Sequence, residues 1–228
     1  MYTLFIGNKN YSSWSLRPWV LMKQLGIPFR EQLLVFGRQS DWERFRKLSP
    51  AGLVPCLHDA PTIVWESLAI TEYLAERHAG VWPAEPVARA FARCAAAEMH
   101  AGFGALRAIC GMNCGVRVQL RETVPALQRD LDRLSALWTE GLKRFGGPFL
   151  AGNAFSAVDA FYAPVAFRIQ TYKPGLPREA LDYSARLIAL PAMRDWYRAA
   201  LAEPWRDPAH EAELSENGTV VEDLRAGS

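Results

Sequence analysis

The 228-residue chain is expected to fold as an α/β domain over 1–79, an all-helical domain over 86–205 and an acidic C-terminal tail over 206–228. Three observations carry this expectation. Strand-like and helix-like segments alternate in the order β-α-β-α-β-β-α as far as about residue 78. Strand signals then mostly vanish after residue 80, and apolar content falls away beyond Trp205. With 50% hydrophobic and 22% charged residues, the chain can bury a sizeable core.

The first strand is the apolar, β-prone run Tyr2 to Ile6, followed by the polar loop Gly7 to Ser13. From Trp14 to Leu25 the residues Leu16, Val20, Leu21 and Leu25 recur at helical spacing, and Gly26 and Pro28 stop the helix. Phe29 to Val35 reads as a second strand. Ser40-Asp41-Trp42-Glu43 has the capping-box pattern of a helix start. Leu53 to Leu57 and Thr62 to Trp65 read as strands around the turn His58 to Pro61, and Ser67 opens a helix to about His78. The first two strands should pair in parallel through a right-handed crossover.

Val87 to Arg107 is rich in alanine and other helix formers. Leu127, Leu131, Leu134, Trp138 and Leu142 line one face of a helix stopped by Gly146-Gly147-Pro148. Ser156 to Arg168 and Pro191 to Leu201 are further helices, and the low charge between Phe149 and Phe167 places that segment at the domain centre.

Lys plus Arg total 26 against 24 Asp plus Glu, a formal charge of +2, which offers no basic field for nucleic acid or anionic membrane. No uncharged apolar run reaches the roughly 18 residues of a membrane span. No signal-peptide order opens the chain, so a cytoplasmic protein is expected. Cys56, Cys94, Cys110 and Cys114 contain no C-x-x-C pair and imply no disulfide framework. Cys110 and Cys114, four apart on an expected helix, lack the partner pair a metal site needs, so no metal is expected.

Three places carry chemistry. Tyr11-Ser12-Ser13-Trp14-Ser15 sits where a strand hands over to a helix, and the free N–H groups of a helix start favour an anion. A hydroxyl there can stabilise a thiolate, each lowered pH unit of thiol titration being about 1.4 kcal/mol of preference. Serines also cap helices for reasons unconnected with catalysis. Val54-Pro55 opens a strand where proline cannot join a ladder, so Val54 could pair with an extended peptide ligand. At Glu66-Ser67 another helix starts directly after a strand. The Ser67 hydroxyl and N–H suit a carboxylate and Glu66 an ammonium, together the two charges of an α-amino-acid end.

These segments, in this order, resemble the cytosolic glutathione transferases, whose N-terminal domain is thioredoxin-like and whose C-terminal domain is all-helical. Ser12-Ser13-Trp14-Ser15-Leu16-Arg17 is similar to the S-S-x-S-x-R motif of the serine-type zeta class. Leu48-Ser49-Pro50 through Val54-Pro55-Cys56-Leu57 is similar to the family's N-P-x-x-x-V-P-x-L segment, whose proline is cis, and Glu66-Ser67-Leu68-Ala69-Ile70 to its [EQ]-S-x-A-I segment. Phe149-Leu150-Ala151-Gly152 with Ser156-Ala157-Val158-Asp159 resembles the F-L-x-G…[ST]-x-A-D segment, in which Ser156 is the N-cap and Asp159 a structural partner.

The resemblance implies that Ser12 or Ser13 hydrogen-bonds the sulfur of glutathione, the co-substrate. It implies further that Val54 ahead of Pro55 pairs with the cysteinyl backbone, and that Glu66 and Ser67 hold the γ-glutamyl end. The thiolate would be directed to an apolar small-molecule electrophile, with His100, Arg107, Met112, Asn113 and Tyr172 as candidates for that pocket. Conjugation is expected ahead of a zeta-like cis-trans isomerisation or a non-catalytic glutathione-binding scaffold, and a homodimer is implied. Gly52-Leu53 stand where zeta-like chains carry Lys or Gln before V-P, so the glycyl carboxylate is assigned to Arg38 or Trp42. Trp14 replaces a cysteine of the zeta motif, which weakens the isomerase reading. A thiol route through Cys56 is a further alternative.

Overall fold

A computed structural model describes residues 1–37 and 39–225, the side chains of 39–42 excepted. The capping box at Ser40 and the carboxylate contacts assigned to Arg38 and Trp42 therefore lie outside the described residues. The first part of the chain runs β1 (Tyr2–Ile6), α1 (Ser13–Gln24), β2 (Phe29–Leu33), α2 (Gln39–Leu48), β3 (Cys56–Asp59), β4 (Thr62–Trp65) and α3 (Ser67–Ala75). The strands form one sheet in the order β2-β1-β3-β4. β1 and β2 pair in parallel with Tyr2 opposite Phe29 and Ile6 opposite Leu33, while β3 runs antiparallel to β1 and β4 to β3. Leu4 and Ile6 are wholly buried against Leu16 and Val20 of α1 and Ile70 and Leu74 of α3. Each such side chain contributes about 1.5–3 kcal/mol through removal from water.

The helical part contains α4 (Pro86–Ala101), α5 (Gly104–Ile109), α6 (Pro125–Phe145), α7 (Ala157–Tyr172), α8 (Arg178–Ala189) and α9 (Pro191–Ala202). The single helix expected over Val87 to Arg107 is broken at Gly102-Phe103. Phe103 takes a left-handed conformation (φ 55°), and a Cβ on Gly102 would stand 2.8 Å from the Glu98 carbonyl oxygen. That break turns α5 away from α4 and carries Arg107 toward α1. α7 is buried on nearly every side and packs against α1, α4 and α8. Asp159, at its first turn, accepts the N–H of Leu150 (3.0 Å), the N–H of Ser156 (3.0 Å) and the Tyr183 hydroxyl (2.8 Å). Burial pushes the Asp159 carboxyl up to about 6, and those donors hold it back from rising further.

The stretch beyond residue 206 is not the loosely held tail that its acidic composition implied. It forms α10 (Pro208–Asn217) and a strand, β6 (Gly218–Asp223), that pairs antiparallel with β5 (Val116–Leu120). Asp207 caps α10 by accepting the His210 N–H at 3.2 Å, and Leu214 is buried. Arg225 bonds both Glu211 and Asp223, so opposite charges brought together by the fold replace the solvated tail. The alternation Val116, Val118, Leu120 was a readable strand signal inside a helical region. Among the described residues no helix is long and apolar enough to cross a membrane.

Candidate functional site

The loop joining β1 to α1 is held from both sides. Asn8 accepts the Ser12 N–H through its carbonyl (2.8 Å) and the Phe36 N–H through its side chain (2.7 Å). Glu203, after α9, accepts the Lys9 N–H at 2.7 Å, and Asn10 donates to Asn113 at 2.9 Å. The loop thus presents Ser12 from a fixed backbone. Ser12 is buried, with its Oγ 2.7 Å from Ser15 Oγ, which in turn accepts the Gly7 N–H at 3.0 Å. Ser12 occupies the N-cap of α1 but makes no side-chain capping bond. Ser13 is half-buried as the first residue of α1. Tyr11 is not available to a ligand sulfur as a donor, since its hydroxyl donates to Glu211 at 2.6 Å. Burial, aided by that carboxylate, pushes it up to about 12.

Two cavities meet along Trp14, Leu53 and Val54. The larger, about 700 Å³, takes in Ser12 and Ser13, the stacked rings of Phe36 and His210, and the guanidiniums of Arg107 and Arg168. The smaller, about 380 Å³, runs from Pro55 to Trp65, Glu66 and His100. The Val54–Pro55 peptide is cis, and Val54 lies ahead of the β3 ladder, which begins at Cys56. Glu66 caps α3 with a positive φ of 70° and no side-chain capping bond, a conformation non-glycine residues seldom hold away from functional sites. Ser67 is wholly buried and its Oγ receives Arg17 Nη1 at 3.4 Å.

Sequence reasoning singled out Ser12, Ser13, Val54, Pro55, Glu66 and Ser67. The fold brings all but Ser67 to the walls of these two cavities and puts Ser67 directly behind Glu66. Of the residues considered for a second pocket, Arg107 and Met112 line the larger cavity and His100 the smaller. Asn113 is buried, bracing Asn10, and Tyr172 is buried away from both walls. Burial and the neighbouring Arg17 push the His100 imidazole down.

Trp14 stands between the guanidiniums of Arg17 and Arg107, each 4.1 Å from a ring centre. Arg168 and the α10 residues His210 and Glu213 were missed. Arg168 had a signal, as a charge ending the most apolar stretch of the helical part. The α10 residues had none, because they lie in the stretch read as a tail.

Three of the four cysteines are buried, and Cys94 is exposed on α4, away from both cavities. Cys56 packs inward, and burial pushes its thiol up to about 11. Cys110 and Cys114 fall in the segment after α5 rather than on one helix, both buried, and burial raises both thiols. Among the described residues no group of three or more His, Cys, Asp or Glu side chains could hold a metal ion.

Sheet order, helical part and cleft together define a thioredoxin-like domain joined to a helical one. Residues 11–77 match the family described as glutathione S-transferase, N-terminal domain, and residues 117–199 its C-terminal domain. A zeta-class glutathione S-transferase of Euphorbia esula is 28% identical over 167 residues, 72% of this chain and 72% of that protein. A stringent starvation protein A homolog of Pasteurella multocida is 25% identical over 153 residues, 66% of this chain and 68% of that protein. Among solved structures, a Burkholderia glutathione transferase homolog with bound glutathione superposes with a TM-score of 0.64 at 22% identity, covering 87% of this chain and 97% of that one. The chain belongs to the glutathione S-transferase family.

Proposed function

We propose that the chain is a glutathione-dependent transferase, with the tripeptide laid along the cleft from Glu66 to Ser12 and its sulfur at the start of α1. Glu66 would hold the γ-glutamyl ammonium, while the N–H of Ser67 and the open turn of α3 hold the α-carboxylate. Val54 would pair with the cysteinyl backbone as an added strand does, beside Pro55.

The observation that carries this reading is the unused capping position of α1. Ser12 lines the larger cavity, and its hydroxyl caps no backbone N–H of α1 but donates to Ser15 Oγ in the first turn. Ser15 Oγ also accepts the Gly7 N–H; when a sulfur accepts the Ser12 hydrogen bond instead, the Ser15 hydroxyl can turn to donate to Ser12 Oγ. Ser12 is therefore preferred to Ser13, which has no such support.

In this mechanism the thiol proton leaves to solvent as the Ser12 hydroxyl and the helix start stabilise the thiolate. The sulfur lone pair then forms a C–S bond to the electrophile as the bond to the leaving group breaks, and that group departs with the electron pair. Serine forms no covalent bond. The protein contributes a lowered thiol pKa and proximity in a cavity that takes the apolar body of the second substrate. The likeness to the zeta-class relative keeps isomerisation through a reversible glutathione adduct as a second reading.

The test is conjugation of 1-chloro-2,4-dinitrobenzene together with ultraviolet titration of the bound thiolate in Ser12→Ala and Ser13→Ala. The reading expects Ser12→Ala to raise the bound thiol pKa by about 1–2 and to slow turnover roughly 10–100-fold. Tight glutathione binding with no turnover of any electrophile or isomerisable double bond would replace it with a non-catalytic binder.

A further inference from the structure

The far wall of the larger cavity carries more positive than negative charge, two guanidiniums against one carboxylate. Arg168 projects from the middle of a buried helix, is itself 5% exposed, and lines the cavity. Its Nη1 is spent on the carbonyls of Cys110 and Arg107, while its Nε has no hydrogen-bond partner among the described residues. Arg107, beside it on the same wall, donates to the carbonyls of Met99 and His100 and stacks on Trp14. Arg17 lies behind Trp14, buried, its Nε likewise unpartnered. None of the three guanidiniums has a carboxylate within 4 Å among the described residues, although guanidiniums elsewhere, such as Arg133 and Arg225, do.

Glu213 lines the same cavity, against Gly111, and draws on Arg168 only at longer range. One carboxylate thus faces two lining guanidiniums with a third behind them. Burying guanidiniums side by side is costly unless an anion arrives to be shared. Trp14, Phe36, Phe45 and Met112 supply apolar surface on the rest of the wall, beside Ser12, Ser13 and His210.

Building on the proposed transferase reading, we infer that the second substrate has an apolar body and a carboxylate, held by Arg107 and Arg168. This narrows the apolar electrophile that the family resemblance implies to one that also carries an acid. The planar forks of two guanidiniums suit a carboxylate better than a neutral polar group does. The acidic end would sit on the Trp14 side of the cavity, away from Glu213, leaving the apolar body and reacting carbon toward Ser12.

The experiment compares two aryl halides with the same ring, 4-chloro-3-nitrobenzoate and its neutral, slightly larger methyl ester, by calorimetric titration with and without saturating glutathione. The expected result is about ten-fold tighter binding of the benzoate by the wild-type protein. Arg107→Gln and Arg168→Met should bring the ratio toward one, and Arg107→Lys should restore most of it. Equal affinity for the two probes in the wild type overturns the inference, a result that needs no variant to fold. So does an unchanged ratio in both neutral variants. Loss of benzoate binding when glutathione is added would assign the guanidiniums to the glycyl carboxylate of glutathione, which also overturns it. Turnover of the ester reports on the transferase reading separately. If neither probe reacts yet the benzoate preference is present, that reading fails while the anion site stands.

Discussion

The starts of α1 and α7 each carry a serine, Ser12 and Ser156, and the fold uses the two in opposite ways. At α7 the start is closed. Asp159 reaches back to the Ser156 N–H and also takes the Leu150 N–H and the Tyr183 hydroxyl, all in a wholly buried site. Two other starts are closed by a carboxylate at the cap itself, Glu85 accepting the Val87 and Ala88 N–H groups at α4 and Asp207 the His210 N–H at α10. At α1, and again at α3, no side chain closes the start, and both lie along the cleft. A helix whose first N–H groups are met by its own side chain contributes stability. One left open beside a cavity has its positive end available to a ligand. The same residue type at the same position therefore says little until its partners are known.

The sharpest way to break this comparison is to mutate both starts. Asp159→Ala leaves two backbone N–H groups and a tyrosine hydroxyl buried without an acceptor, and should cost about 3–5 kcal/mol. In a chain of this size that lowers the thermal midpoint by roughly 10 °C, read by calorimetry. Ser12→Ala should change the midpoint by no more than about 2 °C while removing most conjugation activity. If the two variants exchanged roles, with Ser12→Ala unfolding the protein and Asp159→Ala leaving it stable, the distinction between closed and open starts would be wrong.

The comparison also marks what could be read in advance. The alternation of strand and helix up to residue 78 was local, carried by short apolar runs and by stops such as Gly26 and Pro28, and the sheet follows it. Ser12, Val54 and Glu66 were legible as chain positions because each sits at a strand–helix or loop–strand junction. The cis state of Val54–Pro55 came from resemblance, and the second cis proline, Pro61, was not foreseen.

The far wall was not legible, for a physical reason. Arg107 reaches Trp14 because the helix breaks at Phe103, and Arg168 reaches the cavity through the rotation of α7, neither of which is fixed by local periodicity. The segment after residue 206 was misread because charge was counted without its partners. Glu211 and Asp223 are acidic in sequence but share Arg225 in the fold.

At α3 the open start has a smaller expected effect. Glu66 is exposed, so its ion pair with a ligand ammonium is partly screened. Glu66→Gln should weaken glutathione binding about 3–10-fold with little change in the thermal midpoint, measured by titration calorimetry. A loss of stability instead of affinity would place Glu66 among the closing groups.

The gentlest perturbation is pH, and it separates closed α7 from the C-terminal segment by sign. Burial pushes the Glu211 carboxyl up, but the Arg225 and Tyr11 hydrogen bonds outweigh it and hold the group below the usual range. The Arg225 hydrogen bonds lower Asp223 in the same direction. For such groups the stabilisation is present above the unfolded values near 4 and is lost as pH falls through the folded ones. Asp159 is displaced the other way, to about 6. Its folded form therefore binds the proton more readily than the unfolded chain, and acid does not weaken it through this group. Acidification from about pH 5 to 2.5 should accordingly speed backbone-amide exchange in α10 and β6, corrected for intrinsic rates, before that of α7. Arg225→Met should produce the same loosening at neutral pH, where both carboxylates remain charged. If α7 opened first on acidification, the ion-pair account of the C-terminal segment would fail, and its attachment would have to rest on the β5–β6 ladder and buried Leu214 alone.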